Sequence, residues 1–268
     1  MIIDTYIGPL AVREARPQPP VRPPILFIHG ILGGPWYFEG YQRFFAARGY
    51  PSYAVSLRGR PGSRPVADLG KIPLEEFVTD ALEVARSIGR PIVVGHSMGG
   101  LIAQRLAEEG VSDTVVLLSS APPRGITLAT PRLVLKQLKH LGSLVRLTPL
   151  RSSRRDSDEL IFNRMPPESR ADLHARLLPD SARAARELSL GTVAVDEKRI
   201  RCAMLVASGL EDRFIAPRVA RQLAVKYAAP CWQYPHNAHF LPMEPGWERI
   251  AGDVESWIRR QVDAHAQP

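Results

Sequence analysis

The stretch that decides the fold is Pro91-Ile92-Val93-Val94-Gly95-His96-Ser97-Met98-Gly99. Its first four residues form an apolar run typical of a buried strand, and helix-forming residues follow directly after Gly99. Glycines two positions before and two positions after Ser97 let the chain turn sharply where a side chain would clash. Such a strand, turn and helix hold the serine in a strained conformation with its hydroxyl above the sheet edge, as in a nucleophile elbow.

A serine hydroxyl is a poor nucleophile unless a base, here a histidine, removes its proton. The chain has seven histidines, and two of them, His236 and His239, follow the last predicted strand. A loop at that position lies at the carboxyl edge of a parallel sheet, where the elbow serine also lies. We favour His239 because it lies further along this loop, just before the last predicted helix. The remaining histidines lie in less suitable places: His29, His96, His140, His174 and His265.

The histidine needs an acid that fixes its tautomer and stabilises its charged form. Glu211 and Asp212 both lie in the loop after the seventh predicted strand, and we predict that Asp212 is this acid. The segment after the sixth strand, residues 119–122, contains no acid that could serve instead. The chain order is then Ser97, Asp212, His239, which is the order of an elbow-type triad. A loop-capping role for Asp212 is the alternative.

The tetrahedral intermediate of acyl transfer needs two hydrogen-bond donors for its oxyanion. The backbone N–H of Met98, at the start of the helix, is one candidate. The backbone N–H of Ile31 is the other, since Ile31 lies in the glycine-rich loop after the first core strand, residues 29–34. Such a loop could instead bind phosphate, but it lacks the lysine and the glycine spacing of the phosphate-binding motifs.

The composition limits the class of protein. A length of 268 residues suits one large α/β domain, alone or with an insertion, and 45% hydrophobic residues can form a sizeable core. No apolar run approaches the roughly 18 residues of a membrane span, and the N-terminus lacks the regions of a signal peptide. We therefore expect a cytoplasmic protein without stable membrane insertion. Cys202 and Cys231 have no metal-ligand spacing, so no metal is expected.

The formal net charge is +8, and most of the excess comes from residues 122–199, which hold 15 basic and 9 acidic residues. A basic surface can attract nucleic acid, a membrane or anionic substrates. The chain has no dense basic run with interleaved aromatic residues, so nucleic acid is not an expected partner. A solvated helical surface is the simplest interpretation, and attraction of anionic esters or of a lipid surface is the alternative.

Short apolar runs alternate with helical periodicity along most of the chain, which indicates a parallel sheet covered by helices on both faces. A hairpin over residues 2–14 precedes this pattern. The other predicted strands lie at residues 25–28, 53–57, 91–94, 114–118, 203–207 and 232–234. The main predicted helices lie at about 36–48, 74–88, 98–109, 217–228 and 245–262.

The alternation breaks between residues 122 and 199, where the pattern is helical and no strand is convincing. We interpret this segment as a helical cap over the carboxyl edge of the sheet, so that residues 1–121 and 200–268 form the core. The cap is rich in leucine and should present an apolar inner face. Four of its apolar residues, for example, fall on one helical face: Val134, Leu138, Leu141 and Val145.

Side chains near the elbow and the oxyanion loop are candidates for the substrate pocket. They are Leu32, Trp36, His96 and Phe240, and Tyr37 and Phe38 extend the aromatic run that begins at Trp36. An apolar pocket favours a hydrophobic acyl or alcohol group over a sugar or a strongly charged substrate. The alternative is that the aromatic residues of this run simply pack the following helix against the sheet.

Five motifs in the right order and spacing make the chain resemble the α/β-hydrolase superfamily over nearly its whole length. They are His29-Gly30, Leu57-Arg58-Gly59, Gly95-His96-Ser97-Met98-Gly99-Gly100, Gly209 with Asp212, and His239-Phe240. The resemblance implies a mostly parallel eight-stranded α/β sheet, a helical cap insertion and a Ser97–His239–Asp212 triad. The chain looks most like the single-chain esterases and lipase-like members with a small cap.

Two positions depart from the family pattern. The family loop that usually reads Arg-Gly-His-Gly-x-Ser is Arg58-Gly59-Arg60-Pro61-Gly62-Ser63 here, which we interpret as a change of loop shape away from the chemistry. Asn237 replaces the glycine that is common two residues before the base histidine, and it leaves the triad intact.

The serine at the elbow narrows the chemistry that the resemblance implies. Members that act on haloalkanes or epoxides use an aspartate there, and dienelactone hydrolases use a cysteine. Ser97 points to acyl transfer, so the expected activity is hydrolysis of small to medium hydrophobic carboxylic esters through an acyl-enzyme, without a cofactor. Alternatives that share the triad are perhydrolases or haloperoxidases, carbon–carbon bond hydrolases and thioesterases, and a non-catalytic ligand-binding protein is a further one.

Overall fold

The computed structural model describes residues 1–265 and contains a single eight-stranded sheet within that range. The strands are β1 (Ile2–Ile7), β2 (Leu10–Ala15), β3 (Ile25–Ile28), β4 (Ser52–Val55), β5 (Ile92–His96), β6 (Thr114–Leu118), β7 (Ala203–Gly209) and β8 (Cys231–Tyr234). Their order across the sheet is β1-β2-β4-β3-β5-β6-β7-β8. β1 pairs antiparallel with β2, and β2 pairs antiparallel with β4. All pairings from β4 to β8 across the sheet are parallel. The predicted mostly parallel α/β sheet is confirmed.

From β3 onward the α-helices alternate with the strands, except in the segment between β6 and β7. They are α1 (Glu39–Ala46), α2 (Leu74–Ile88), α3 (Met98–Glu108), α4 (Pro131–Leu138), α5 (Leu141–Arg146), α6 (Arg154–Leu160), α7 (Arg170–Ala175), α8 (Ala182–Leu190), α9 (Pro217–Lys226) and α10 (Trp247–His265). A short 3-10 turn over Pro35–Phe38 precedes α1, so the predicted helix at 36–48 is divided in two.

The middle of the sheet is the core of the molecule. Every residue of β3, β5 and β6 is buried. Because successive residues of a strand point to opposite faces, both faces of these strands must be covered. Helix α1 packs with α10, and α2 packs with α3, whose residues also contact β3, β5 and β6.

The parallel pairing brings four loops to one edge of the sheet. Strands β3, β5, β7 and β8 run in the same direction, so their carboxyl ends lie together. The residues that follow these ends include Ile31, Ser97, Asp212 and His239, respectively. The topology therefore places all of the residues predicted for the triad at one edge.

The segment between β6 and β7 contains helices α4 to α8 and one isolated bridge, between Leu150 and Asp180. Within the described residues it contributes no strand to the sheet, so the predicted helical insertion is present. The division of the chain into a core and a cap remains a prediction. Nowhere in residues 1–265 is there a helix with the length and hydropathy needed to cross a membrane.

The helical face predicted over Val134–Val145 differs from the expectation. The segment forms two helices, α4 and α5, that are interrupted at Lys139 and His140. The four predicted residues are exposed rather than turned inward, with 46, 58, 54 and 65% of the surface of Val134, Leu138, Leu141 and Val145 accessible. The four residues are exposed together, so the side of the two helices that carries them faces outward, and other residues of both helices, such as Leu133 and Leu144, form the inner face.

Candidate active site

Ser97 lies between the end of β5 at His96 and the start of α3 at Met98. Its φ of 56° is positive, a conformation that non-glycine residues rarely adopt. The turn closes because its neighbours are glycines: a Cβ on Gly95 would collide with the carbonyl oxygen of Gly99, and a Cβ on Gly99 would collide with that of Ile28. The backbone strain of this turn is therefore located at Ser97 itself.

The structure brings Ser97, His239 and Asp212 into one hydrogen-bonded chain. The Oγ of Ser97 lies 3.1 Å from Nε2 of His239, and Nδ1 of His239 lies 2.9 Å from Oδ2 of Asp212. All three side chains are buried. The other oxygen of Asp212 accepts the N–H groups of Phe214 and Ile215, each at 2.8 Å, which fixes the orientation of the carboxylate. With Nδ1–H donating to Asp212, Nε2 of His239 can accept the proton of Ser97.

His236 and Glu211, the alternatives to His239 and Asp212, are not part of this hydrogen-bonded chain. The side chain of His236 is 82% exposed, and its Nδ1 lies 3.6 Å from a carboxylate oxygen of Glu211. Glu211 itself is 40% exposed at its side chain. Neither residue lies within hydrogen-bond distance of Ser97 or His239, so the geometry favours His239 and Asp212.

The loop around His239 is held by a buried glutamate that sequence analysis missed. Glu244 accepts the backbone N–H of Ala238 at 2.6 Å and that of Phe240 at 2.8 Å, the two residues that flank His239. Asn237, at the position where the family commonly has glycine, also donates to Glu244. Burial raises the pKa of Glu244 above its ordinary value. The sequence contained a sign of this buried role, since Glu244 is a charged residue directly after the apolar run Phe240-Leu241-Pro242-Met243.

His96 supports His239 from the other side of the elbow. Its Nε2 lies 2.8 Å from the carbonyl oxygen of His239, and the two rings are 4.9 Å apart. Burial holds the pKa of His96 well below its ordinary value, with the nearby His239 acting in the same direction. The ring is therefore neutral, and Nε2–H is the donor of this hydrogen bond.

The two residues with predicted oxyanion donors lie near Ser97: Met98 follows it directly, and Ile31 lines the same cavity. Met98 is the first residue of α3, so its N–H is one of the groups that have no acceptor within the helix. Ile31 follows Gly30, where an added Cβ would lie only 2.9 Å from Cβ of Ser97. The absence of a side chain at Gly30 is what lets the loop after β3 approach the serine this closely.

Arg60 and Asp180 form hydrogen bonds to the backbone of the loop after β3. Asp180 accepts the N–H of Leu32 at 2.7 Å, and Arg60 donates to the carbonyl oxygen of Gly33 at 2.7 Å. Arg60 and Asp180 also form an ion pair with each other, and the N–H of Leu178 donates to Leu32. The interpretation of the Arg60 position as remote from the chemistry is thus wrong, because the long arginine side chain reaches the loop that carries Ile31. No sequence signal indicated Asp180.

An apolar cavity opens above Ser97, between the sheet edge and helices α4, α5, α6 and α8. Its lining includes residues from the oxyanion loop, the elbow and the segment between β6 and β7: Ile31, Leu32, Ser97, Ala121, Leu128, Leu133, Lys136, His140, Leu144, Leu150, Leu160, Ile161, Ala185, Leu188, Phe214 and Ile215. Leu32 lies in this lining, as predicted. The lining also includes three charged residues: Lys136 and Asp156, which are paired with each other at 2.6 Å, and Arg151, which is exposed.

Three of the predicted pocket residues do not line this cavity. Phe240, Trp36 and His96 belong to an aromatic cluster around Tyr37, whose ring lies 4.6 Å from that of Phe240 and 4.5 Å from that of Trp36. The guanidinium of Arg176 stacks over Trp36 at 4.1 Å. These rings pack the turn before α1 against the loop of His239, which is the structural role that we considered as the alternative for the aromatic run.

The side chains of the site are those of acid–base and nucleophilic chemistry. Among the described residues, no group of three or more histidine, cysteine, aspartate or glutamate side chains is arranged to hold a metal ion. Burial raises the pKa of Cys202 to about 11 and also raises that of Cys231, so both thiols stay protonated at neutral pH.

Comparison with known proteins places the chain among proteins of this fold. Residues 25–253 match the sequence model of the alpha/beta hydrolase family. Epoxide hydrolase 3 of Xenopus tropicalis is 33% identical over 87 residues, a match that covers 32% of this chain and 23% of that protein.

Solved structures with similar folds have low sequence identity to the chain. A monoacylglycerol lipase of Paleococcus ferrophilus superimposes with a TM-score of 0.74 at 18% identity, covering 94% of this chain and 99% of that one. A 2-hydroxy-6-oxo-6-phenylhexa-2,4-dienoate hydrolase of Rhodococcus sp. strain RHA1 gives a TM-score of 0.71 at 18% identity, covering 97% of this chain and 99% of that one.

Proposed function

The chain belongs to the alpha/beta hydrolase family, and on that premise we propose that it hydrolyses carboxylic esters of small to medium hydrophobic compounds through an acyl-enzyme on Ser97. The observation that carries this proposal is the hydrogen-bonded chain Ser97–His239–Asp212, which lies at the floor of an apolar cavity. Family membership alone supports a hydrolase, and the serine triad adds acyl transfer.

In the first half of the proposed reaction, Oγ of Ser97 attacks the ester carbonyl while Nε2 of His239 takes its proton. Asp212 holds the ring and stabilises the imidazolium that forms. The N–H groups of Ile31 and Met98 donate to the oxyanion, and each such donor is worth about 3 kcal/mol of barrier. Collapse of the tetrahedral intermediate breaks the carbon–oxygen bond, and His239 gives its proton to the leaving alcohol.

In the second half, water attacks the acyl group on Ser97, and His239 takes the proton of that water. The second tetrahedral intermediate collapses, the proton returns to Oγ of Ser97, and the carboxylic acid leaves. Each proton that His239 takes is returned, so the enzyme ends in its starting state. The buried position of His239 and its bond to Asp212 suit it to this repeated transfer.

The cavity supports a hydrophobic, uncharged substrate. Most of its lining is aliphatic, and the charges of Lys136 and Asp156 compensate each other. A charged acyl or alcohol group would lose hydration among these aliphatic side chains. An aliphatic or aromatic group would instead be transferred from water to an apolar surface, which favours binding.

The test is a series of p-nitrophenyl esters of increasing acyl length, with Ser97→Ala as the control. We expect turnover with the wild-type protein, loss of turnover in the variant, and covalent labelling of the wild type alone by a fluorophosphonate. Labelling that persists in Ser97→Ala would overturn the assignment of the nucleophile. Labelling of the wild type without hydrolysis of any ester would overturn the ester substrate, and thioesters would then be assayed.

A further inference from the structure

Five aliphatic side chains on helices α4 and α5 are exposed to solvent: Val134, Leu135, Leu138, Leu141 and Val145. Between 46 and 66% of the surface of each residue is accessible. We call this surface the α4–α5 face. Single exposed aliphatic residues are ordinary, but a group of them on two consecutive helices is typical of a surface that binds a partner or a membrane.

The exposed charged side chains that the structure describes on and between α4 and α5 are positive. Residues 122–155 contain eight arginine and lysine residues and no aspartate or glutamate. Lys139 and Arg146 lie on or between these two helices and are exposed. Lys136 differs, since it contacts Asp156 and Glu159 and its charge is compensated. The face therefore combines aliphatic residues with exposed cations, which is the pattern of a helix that lies on an anionic lipid surface.

The opposite side of the same helices lines the cavity above Ser97. Leu133, Lys136, His140 and Leu144 belong to that lining, in which Ser97 also takes part. The outer residues Val134, Leu135 and Leu138 lie on the same two turns of α4 as the inner residue Leu133. A surface that binds the α4–α5 face is thus separated from the cavity by the thickness of one helix.

We propose that the α4–α5 face binds the surface of an anionic phospholipid bilayer. Its leucine and valine side chains would enter the boundary between headgroups and acyl chains, and its cations would contact lipid phosphates. A second copy of the chain fits less well, because a symmetric contact of this face with itself would bring together two surfaces whose exposed charges, from Lys139 and Arg146, are both positive.

The test is co-sedimentation of the full-length protein with lipid vesicles. We expect at least about tenfold more protein bound to vesicles of equimolar phosphatidylcholine and phosphatidylglycerol than to phosphatidylcholine alone, with binding that falls as salt is raised. The variant L135S/L138S should lose binding through the aliphatic contact, and K139E/R146E should lose the preference for anionic lipid. The matched control is Val225→Ser, because Val225 is 83% exposed on α9, and it should bind like the wild type.

Equal binding of the wild type and L135S/L138S would overturn the proposal, as would equal binding to both kinds of vesicle. Sedimentation velocity tests the alternative of a second copy. A wild-type dimer that L135S/L138S abolishes, together with no vesicle binding by the wild type, would also overturn the proposal and assign the face to a second copy. The readout does not depend on ester hydrolysis: Ser97→Ala should bind vesicles like the wild type even though its turnover is lost.

Discussion

Arg60 and Asp180 form an ion pair in which the two side chains are only 1% and 0% exposed. The pair connects the loop that carries Ile31 to the segment before α8, which lies 120 residues away from Arg60 in the sequence. Asp180 accepts the N–H of Leu32, so the peptide next to the proposed oxyanion donor is fixed by a residue from the helical insertion. This geometry makes the position of the oxyanion loop depend on a buried contact with the segment between β6 and β7.

Asp180→Asn should therefore impair both folding and turnover. Breaking one partner of a buried ion pair costs about 3–5 kcal/mol of unfolding free energy. We also expect kcat per active site, titrated with a fluorophosphonate, to fall by about tenfold with little change in KM, because the loop of Ile31 loses its fixed position.

Asp80→Asn is the matched control for this variant. Asp80 is also fully buried and is paired with Arg58, with Nη2 of Arg58 2.8 Å from the carboxylate, but it makes no described contact with residues 29–34. We expect a comparable loss of stability with kcat per titrated site unchanged. Equal kcat in both variants would show that Asp180 has a structural role only.

His239→Ala should reduce kcat for ester hydrolysis by about 10⁴- to 10⁶-fold, since among the described residues His239 is the base hydrogen-bonded to Oγ of Ser97. His236→Ala should leave kcat within about twofold, because His236 is exposed and three residues removed from the hydrogen-bonded chain. Steady-state kinetics on a p-nitrophenyl ester compares the two. A large loss in His236→Ala with activity retained in His239→Ala would reverse the assignment of the base.

The buried His29 predicts a loss of stability at acid pH. Desolvation by burial, aided by the nearby Arg60, lowers the pKa of His29 from 6.5 to about 3. Below pH 6.5 the unfolded chain binds a proton at this residue and the folded chain does not, so the contribution of His29 to stability is present above pH 6.5. It is lost as the pH falls towards 3, by up to about 1.4 kcal/mol per pH unit.

Denaturant unfolding of the wild type and of His29→Asn at a series of pH values tests this prediction. The amide of asparagine can replace the hydrogen bond from Nδ1 of His29 to the carbonyl oxygen of Gly30 but does not titrate. The difference in unfolding free energy between the two proteins should shrink as the pH falls below 6.5. A difference that is constant with pH would contradict the buried, neutral state of His29.

Ala185→Phe should shorten the preferred acyl chain. Ala185 is a small residue of α8 in the lining of the cavity, and a phenyl ring there would occupy space that a long substrate needs. We expect kcat/KM for the longest ester that the wild type accepts to fall by about tenfold or more, with the acetate ester within about twofold. Leu190→Phe, at a position 69% exposed on the same helix, should leave both values unchanged.

The sequence predicted the sheet well because its strands have a simple physical pattern. Strand β6 was expected at residues 114–118 and is found at Thr114–Leu118, since a short apolar run in this context must be buried on both faces. Ser97, Asp212 and His239 could be singled out because each follows a strand whose carboxyl end meets the same edge of the sheet. Their role in catalysis stays a proposal until the variants are measured.

The cavity could not be predicted because it depends on side-chain direction and on contacts between distant segments. Trp36 and Phe240 are close to the elbow in the fold, yet they pack against Tyr37 rather than line the cavity. Asp180 is separated from Leu32 by 148 residues, and no local pattern records such a contact. Helical periodicity likewise places Val134 and Val145 on one side of α4 and α5 but does not say whether that side faces the sheet or the solvent.

The glycines of the elbow divide the molecule into a part that tolerates variation and a part that does not. An added Cβ on Gly95 or Gly99 would collide with backbone atoms, and an added Cβ on Gly100 would collide with the side chain of Ser120. A library randomised at these positions should return glycine almost alone. New substrate preferences must instead come from residues such as Leu133, Ala185 and Leu188, which border open space. Substitutions in this fold should therefore leave the elbow around Ser97 unchanged and alter the side chains that line the cavity above it.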